Sequence, residues 1–144
     1  MRPQDLLLGM ALASAASLGA CSTSPPAKYD LRDQTRQELS PGLTRRYINS
    51  DKATMAIYEL RKGIRIGTHY HDSEQLTYVQ AGRLRIVIEG KAYTIGSGEV
   101  LTIPQYAKHS IEALENTVEY DYFTPKRYNW SEDRDETGPL RPEK

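Results

Sequence analysis

Apolar and polar residues alternate in short runs through the middle of this chain. Residues 54–60 (TMAIYEL), 76–80 (LTYVQ), 84–89 (LRIVIE), 100–103 (VLTI) and 118–123 (VEYDYF) are rich in β-branched, aromatic or strictly alternating side chains, and each predicts a strand. Turn signals fall between them at Lys62-Gly63, Ala81-Gly82, Glu89-Gly90, Gly96-Ser97-Gly98 and Glu115-Asn116. Short strands at such close intervals, with little 3.6-residue periodicity between them, predict an all-β sandwich or barrel. No phosphate loop, nucleophile elbow or coenzyme fingerprint interrupts them.

The flanks follow other rules. Residues 1–20 carry Arg2 and then an apolar run rich in Leu, Ala, Ser and Gly, which reads as a secretory signal too short to span a bilayer. Leu18-Gly19-Ala20-Cys21 resembles the lipobox of bacterial lipoproteins, in which the cysteine becomes the first mature residue and carries the lipid. Cys21 is the only cysteine, so it has no disulfide partner and acylation gives it a reason. Ser22 after it resembles outer-membrane sorting. The chain is therefore expected on the periplasmic face of the envelope, held to the membrane through Cys21. Residues 21–42 are polar and proline-bearing, as expected of a flexible tether, with room for a short helix over 30–39. Residues 131–144 are nearly all charged or turn-forming and read as a disordered tail. That leaves 43–130 for one folded body with one site.

Charge narrows the partners. Lysine plus arginine and aspartate plus glutamate number 19 each, and no basic cluster exceeds pairs such as Arg45-Arg46. That gives no electrostatic footprint for a nucleic-acid backbone, and no nucleic-acid partner is expected.

Chemistry concentrates on the three histidines of the chain, His69, His71 and His109. On a strand, the His-x-His spacing points both imidazoles to one face, so one strand would supply two ligands and a returning strand the third.

The motif around them resembles the cupin family. Its first motif runs glycine, five residues, His-x-His, three or four residues, glutamate, six residues, glycine; here Gly63, His69, His71, Gln75 and Gly82 keep the spacing, with glutamine for glutamate. Of its second motif, Gly98, Pro104 and His109 are present, while Tyr106 replaces a glycine and Ala113 an asparagine. The resemblance implies a single double-stranded β-helix (jelly-roll) barrel. It also implies one divalent transition metal (zinc, nickel, manganese, iron or copper) on His69, His71, His109 and a fourth ligand, Gln75 by motif spacing or Glu74 if strand parity differs. Three imidazoles and a neutral amide leave the ion's charge uncompensated, which favours Lewis-acid chemistry. Tyr106 in a turn that favours glycine implies a rearranged turn, its ring either lining the barrel mouth as a substrate contact or covering the outer surface.

Asp121-Tyr122-Phe123-Thr124-Pro125-Lys126-Arg127 further resembles the ending of a subset of small bacterial cupins that open unsaturated uronates into linear keto acids. That likeness implies a carboxylate-bearing sugar as substrate, with Asp121 and Arg127 as catalytic residues, Phe123 in the pocket and a homodimer. Asp121 and Phe123 share strand parity. A cupin dioxygenase and a non-catalytic, lipid-anchored binder or sensor of a small acid would use the same histidines. Uronate opening in the resembling enzymes is cytoplasmic, so export points to a different acid.

Overall fold

Ten strands account for nearly all the regular structure in the computed structural model, which describes residues 24–131. In chain order they are β1 (Gln37–Ser40), β2 (Leu43–Asn49), β3 (Thr54–Leu60), β4 (Arg65–His69), β5 (Glu74–Ala81), β6 (Arg83–Ile88), β7 (Lys91–Gly96), β8 (Val100–Ile103), β9 (His109–Ala113) and β10 (Thr117–Thr124). They form two antiparallel sheets, one of six strands in the order β1-β2-β3-β10-β5-β8 and one of four in the order β4-β9-β6-β7. The all-β sandwich expected from the alternation is the fold observed.

Alternation decides which side chains enter the space between the sheets. In β3, Thr54, Ala56, Tyr58 and Leu60 are buried, while Met55 on the opposite face is exposed. Leu84 and Ile86 from β6, Ile103 from β8 and Ile111 from β9 meet Val79 and Leu60 in one apolar cluster. Burial of a side chain this size contributes about 1.5–3 kcal/mol, and the cluster holds the sheets face to face. The inward faces of β5 and β10 break this pattern. There Gln75, Thr77, Glu119 and Asp121 are buried among apolar neighbours.

Turns sit where the sequence placed them. Gly82 shows why one must be glycine: its φ is +91°, and a Cβ would lie 2.3 Å from the Asn116 carbonyl oxygen. The β5–β6 connection packs directly against the β9–β10 turn.

Several expectations need correction. The tether was read as running to residue 42, but Gln37–Ser40 forms a strand that pairs with β2, Gln37 opposite Arg45 and Ser40 opposite Leu43. The helix over 30–39 is absent. A 3-10 turn at Leu31–Asp33 takes its place, with the Asp30 carboxylate accepting the Arg32 amide. Edge pairing outweighed the polar composition of this segment. Strands β1, β2 and β7 were not foreseen, because their polar residues obscure the strand signal that neighbouring strands nonetheless enforce. Residues 1–20, Cys21 and nearly all of the tail expected over 131–144 lie outside the described residues.

Candidate metal centre and acid pocket

The four-stranded sheet delivers the histidines. His69 ends β4 and pairs with His109, the first residue of β9. His71 lies two residues past the end of β4, so the expectation that one strand carries both imidazoles is corrected: a strand end and the loop after it carry them. The rings still converge, with centroids 4.2 Å apart for His69 and His109, 5.1 Å for His71 and His109, and 6.0 Å for His69 and His71. One ligand atom from each lies within 4.8 Å of the others.

Backbone carbonyls fix the tautomers. Nδ1 of His69 contacts the Gly67 oxygen at 2.9 Å, Nδ1 of His71 the Ser73 oxygen at 2.7 Å, and Nδ1 of His109 the Ala107 oxygen at 2.8 Å. A carbonyl only accepts, so each Nδ1 carries the proton and each Nε2 presents a lone pair. Nε2 of His109 is buried without any hydrogen-bond partner. Burial lowers all three histidine pKa values, His71 to about 4 and His109 to about 3, with the Arg127 charge adding to the effect on each. Neutral imidazoles with convergent lone pairs suit a divalent transition metal, and this donor set fits one.

Gln75 and Glu74 divide as strand parity requires. Glu74 is exposed, and Gln75 is 2% exposed with its amide oxygen 3.0 Å from Nε2 of His71. Two acceptors facing each other at that distance form an arrangement that a shared cation relieves. The amide nitrogen of Gln75 donates to the Thr77 hydroxyl at 2.8 Å, and that hydroxyl donates to Oδ1 of Asp121 at 2.7 Å. Strand register builds this chain, since β10 sets Phe123 opposite Gln75 and Asp121 opposite Thr77.

On that side lie the acid and the cation. Asp121 is 3% exposed, and burial raises its carboxyl to about 6 against the opposing hydrogen bonds from Thr77 and Gln75. The Phe123 ring stands 5.5 Å from His71, edge to face, and the Arg127 guanidinium lies 5.5 Å from the Phe123 ring. Arg127 is thus close enough to the three imidazoles to lower their basicity.

The Tyr106 side chain is 63% exposed. Its φ is +61°, so the tyrosine adopts the left-handed conformation itself and the rearranged turn expected for it is not seen. Its amide donates to the His71 carbonyl at 2.8 Å, bracing the loop that carries that ligand.

Three residues were missed from the sequence. Thr77 links Gln75 to Asp121, Glu119 is fully buried with neither carboxylate oxygen bonded, and Trp130 packs on Phe123 with centroids 5.2 Å apart. Parity could have found Glu119, which lies two residues before Asp121 on the same strand face.

A family model described as a cupin domain matches residues 56–120. The pectin degradation protein KdgF of Dickeya dadantii (strain 3937) is 36% identical over 105 residues, covering 69% of this chain and 94% of that protein. Among solved structures, KdgF from Halomonas sp. superposes with a TM-score of 0.68 at 21% identity, covering 74% of this chain and 99% of the other. Oxalate decarboxylase of Bacillus subtilis, a protein with Mn(II) centres, superposes with a TM-score of 0.66 at 21% identity over 76% of this chain and 32% of the other.

Proposed function

The chain belongs to the cupin family, and from that premise we propose that it is a metal-dependent enzyme that opens or isomerises an unsaturated uronate or a similar small sugar acid. One observation carries the reading: the hydrogen-bonded chain from Gln75 through Thr77 to Asp121 ties a buried acid to the histidine centre, with the Arg127 charge acting on the imidazoles. The name of the Dickeya dadantii relative, a pectin degradation protein, supports the substrate class.

His69, His71, His109 and Gln75 would hold the metal, which supplies Lewis acidity toward a substrate hydroxyl or carbonyl oxygen when bound. This chain's own residues do the rest. Arg127 clamps the carboxylate in a two-pronged contact that also fixes the orientation of the ring. Phe123 offers an apolar wall to the sugar face. Asp121, with its pKa near 6, moves a proton as general acid or base, and its hydrogen bond from Thr77 holds the carboxyl in place. Ring opening followed by enol-to-keto tautomerisation asks for little more than this.

Two further parts of the reading concern place and partner. The lipobox-like segment ending at Cys21 supports a lipid anchor on the periplasmic face of the envelope, with the outer membrane as destination. The outer face of the six-stranded sheet carries an apolar groove of about 520 Å³ lined by Met55, Leu76, Tyr78, Val100, Tyr120 and Tyr122, a surface suited to a second copy of the chain.

The decisive experiment incubates purified, metal-loaded protein with unsaturated galacturonate and follows the product by NMR, beside Asp121→Ala. Conversion by the wild type and at least a hundredfold loss in the variant are expected. Binding without product over hours would make the protein an acid carrier or sensor, and substrate-dependent oxygen consumption would make it a dioxygenase.

A further inference from the structure

Arg127 reaches the site from a segment with no regular structure of its own. β10 ends at Thr124, and the 3-10 turn Tyr128–Ser131 begins only after the arginine. A long side chain on such a segment loses much rotamer freedom when it grips an anion, unless the fold has already removed that freedom. Here the backbone is pinned before the arginine, at it and after it. The Ser73 hydroxyl donates to the Pro125 carbonyl at 2.7 Å, the Arg127 amide donates to the Thr54 hydroxyl at 2.8 Å, and the Tyr47 hydroxyl donates to the Trp130 carbonyl. The three anchors come from the loop before β5, from β3 and from β2, so the segment is tied to distant parts of the fold.

Rings hold the side chain. The Arg127 guanidinium lies 5.4 Å from the Trp130 ring and 5.5 Å from the Phe123 ring, within cation–π range of both, and its Nε is buried. Trp130 is fixed in turn. Its side chain is buried, Tyr47 and Phe123 meet it edge to face at 5.3 and 5.2 Å, and the Arg45 guanidinium lies 3.8 Å above it. Arg45 is itself tied to edge strand β1, where Oε1 of Gln37 accepts from its Nε at 3.0 Å and its Nη2 at 2.9 Å. A line of contacts thus runs from β1 through Arg45 and Trp130 to Arg127. We propose that Trp130 is a positioning residue of the site: with Tyr47 holding its backbone, the indole fixes the Arg127 guanidinium for a carboxylate before any ligand arrives. Trp130 touches no substrate and acts through the arginine. The proposal rests on the uronate reading for what Arg127 binds, while the fixing of the guanidinium rests on the contacts alone.

Side-chain relaxation measures the fixing without any substrate. In zinc-loaded protein labelled with nitrogen-15, the heteronuclear NOE of the Arg127 Nε–Hε pair, identified by its absence from Arg127→Ala, should equal that of the strand backbone. In Trp130→Ala it should fall to the level of the exposed arginines, and Trp130→Phe, which keeps an aromatic face, should restore it. A double-mutant cycle on kcat/KM with unsaturated galacturonate then separates positioning from mere packing. Trp130→Ala should lower kcat/KM about tenfold in the wild-type background and leave it unchanged in Arg127→Ala, since the indole acts only through the guanidinium. Should Trp130→Ala fail to fold, Tyr47→Phe carries the same test: it removes one hydroxyl and should cut kcat/KM about threefold, a loss absent from the Arg127→Ala background. A wild-type Arg127 as mobile as the exposed arginines, an Arg127 that stays rigid in Trp130→Ala, or losses that add in the cycle overturn the proposal. A wild type that converts no unsaturated galacturonate, with Arg127 rigid in it and mobile in Trp130→Ala, overturns the uronate reading and leaves the indole as the holder of the guanidinium.

Discussion

Replacing Glu119 with glutamine should make the metal-free protein more stable, by an amount that grows with pH. Glu119 is completely buried on the inward face of β10, and neither carboxylate oxygen has a hydrogen-bond partner. Burial, and secondarily the neighbouring Asp121 carboxylate, holds its pKa well above the ordinary 4.5. The folded protein thus keeps Glu119 protonated while the unfolded chain ionises it above pH 4.5. The unfolded state binds fewer protons there, so Glu119 lowers stability as pH rises through this range. The slope is about 1.4 kcal/mol per pH unit, so at pH 5.5 the gain from Glu119→Gln should be about 1.4 kcal/mol and below pH 4 it should vanish. Asp121, also raised by burial, lowers stability over the same range, and its contribution is common to variant and wild type, so the comparison is made between the two proteins at each pH. Glu119→Leu should behave differently, because it also removes two orphaned polar atoms whose burial costs about 1–3 kcal/mol at any pH. Urea unfolding of both variants and wild type at pH 4.0, 5.0 and 5.8, with the m-values compared, measures all of this. A stability difference between glutamine variant and wild type that is flat or falls across that window would refute the reasoning.

Other consequences follow from the same geometry. Asp121→Asn keeps an acceptor for Thr77 but cannot exchange a proton, so kcat should fall at least a hundredfold while metal content stays unchanged; in wild type kcat/KM should lose activity as pH drops through about 6, if Asp121 works as the base. Lowered histidine pKa values keep His71 and His109 neutral in mildly acidic solution, so bound metal should persist to about pH 5 and be lost as pH falls through about 4, as read by elemental analysis after dialysis. Gly82→Ala should lower stability by more than about 2 kcal/mol in denaturant melts, since the new Cβ would meet the Asn116 carbonyl at a backbone angle that disfavours alanine. Tyr122→Glu, on the outer sheet face, should shift the sedimentation coefficient from dimer to monomer without altering metal content; a wild-type monomer would remove the dimer from the proposal.

Local rules carried the sequence reading a definite distance. Alternation in TMAIYEL located β3 to the residue, because a half-buried strand must present every second side chain to the core. The same rules failed at β1 and β2, where polar residues such as Gln37, Arg45 and Arg46 form strands only because a neighbouring strand supplies the pairing. Histidine spacing announced a shared centre, yet it misjudged how His71 arrives, since parity applies only while the chain stays extended and β4 stops at His69.

By itself the sequence determined the all-β class and the turns, which depend on near-neighbour sterics and side-chain period, and the motif resemblance named the three imidazoles that the β4–β9 pairing brings together. Tertiary structure decided the rest: that Gln75 faces the lumen while Glu74 faces solvent, that Thr77 joins Gln75 to Asp121, that Glu119 is buried unpaired, and that Trp130 folds back against Phe123 and Arg127. Each of these depends on cross-strand register or on contacts between distant segments. Such contacts form only when the two sheets close on each other, and no local pattern along the chain encodes their partners.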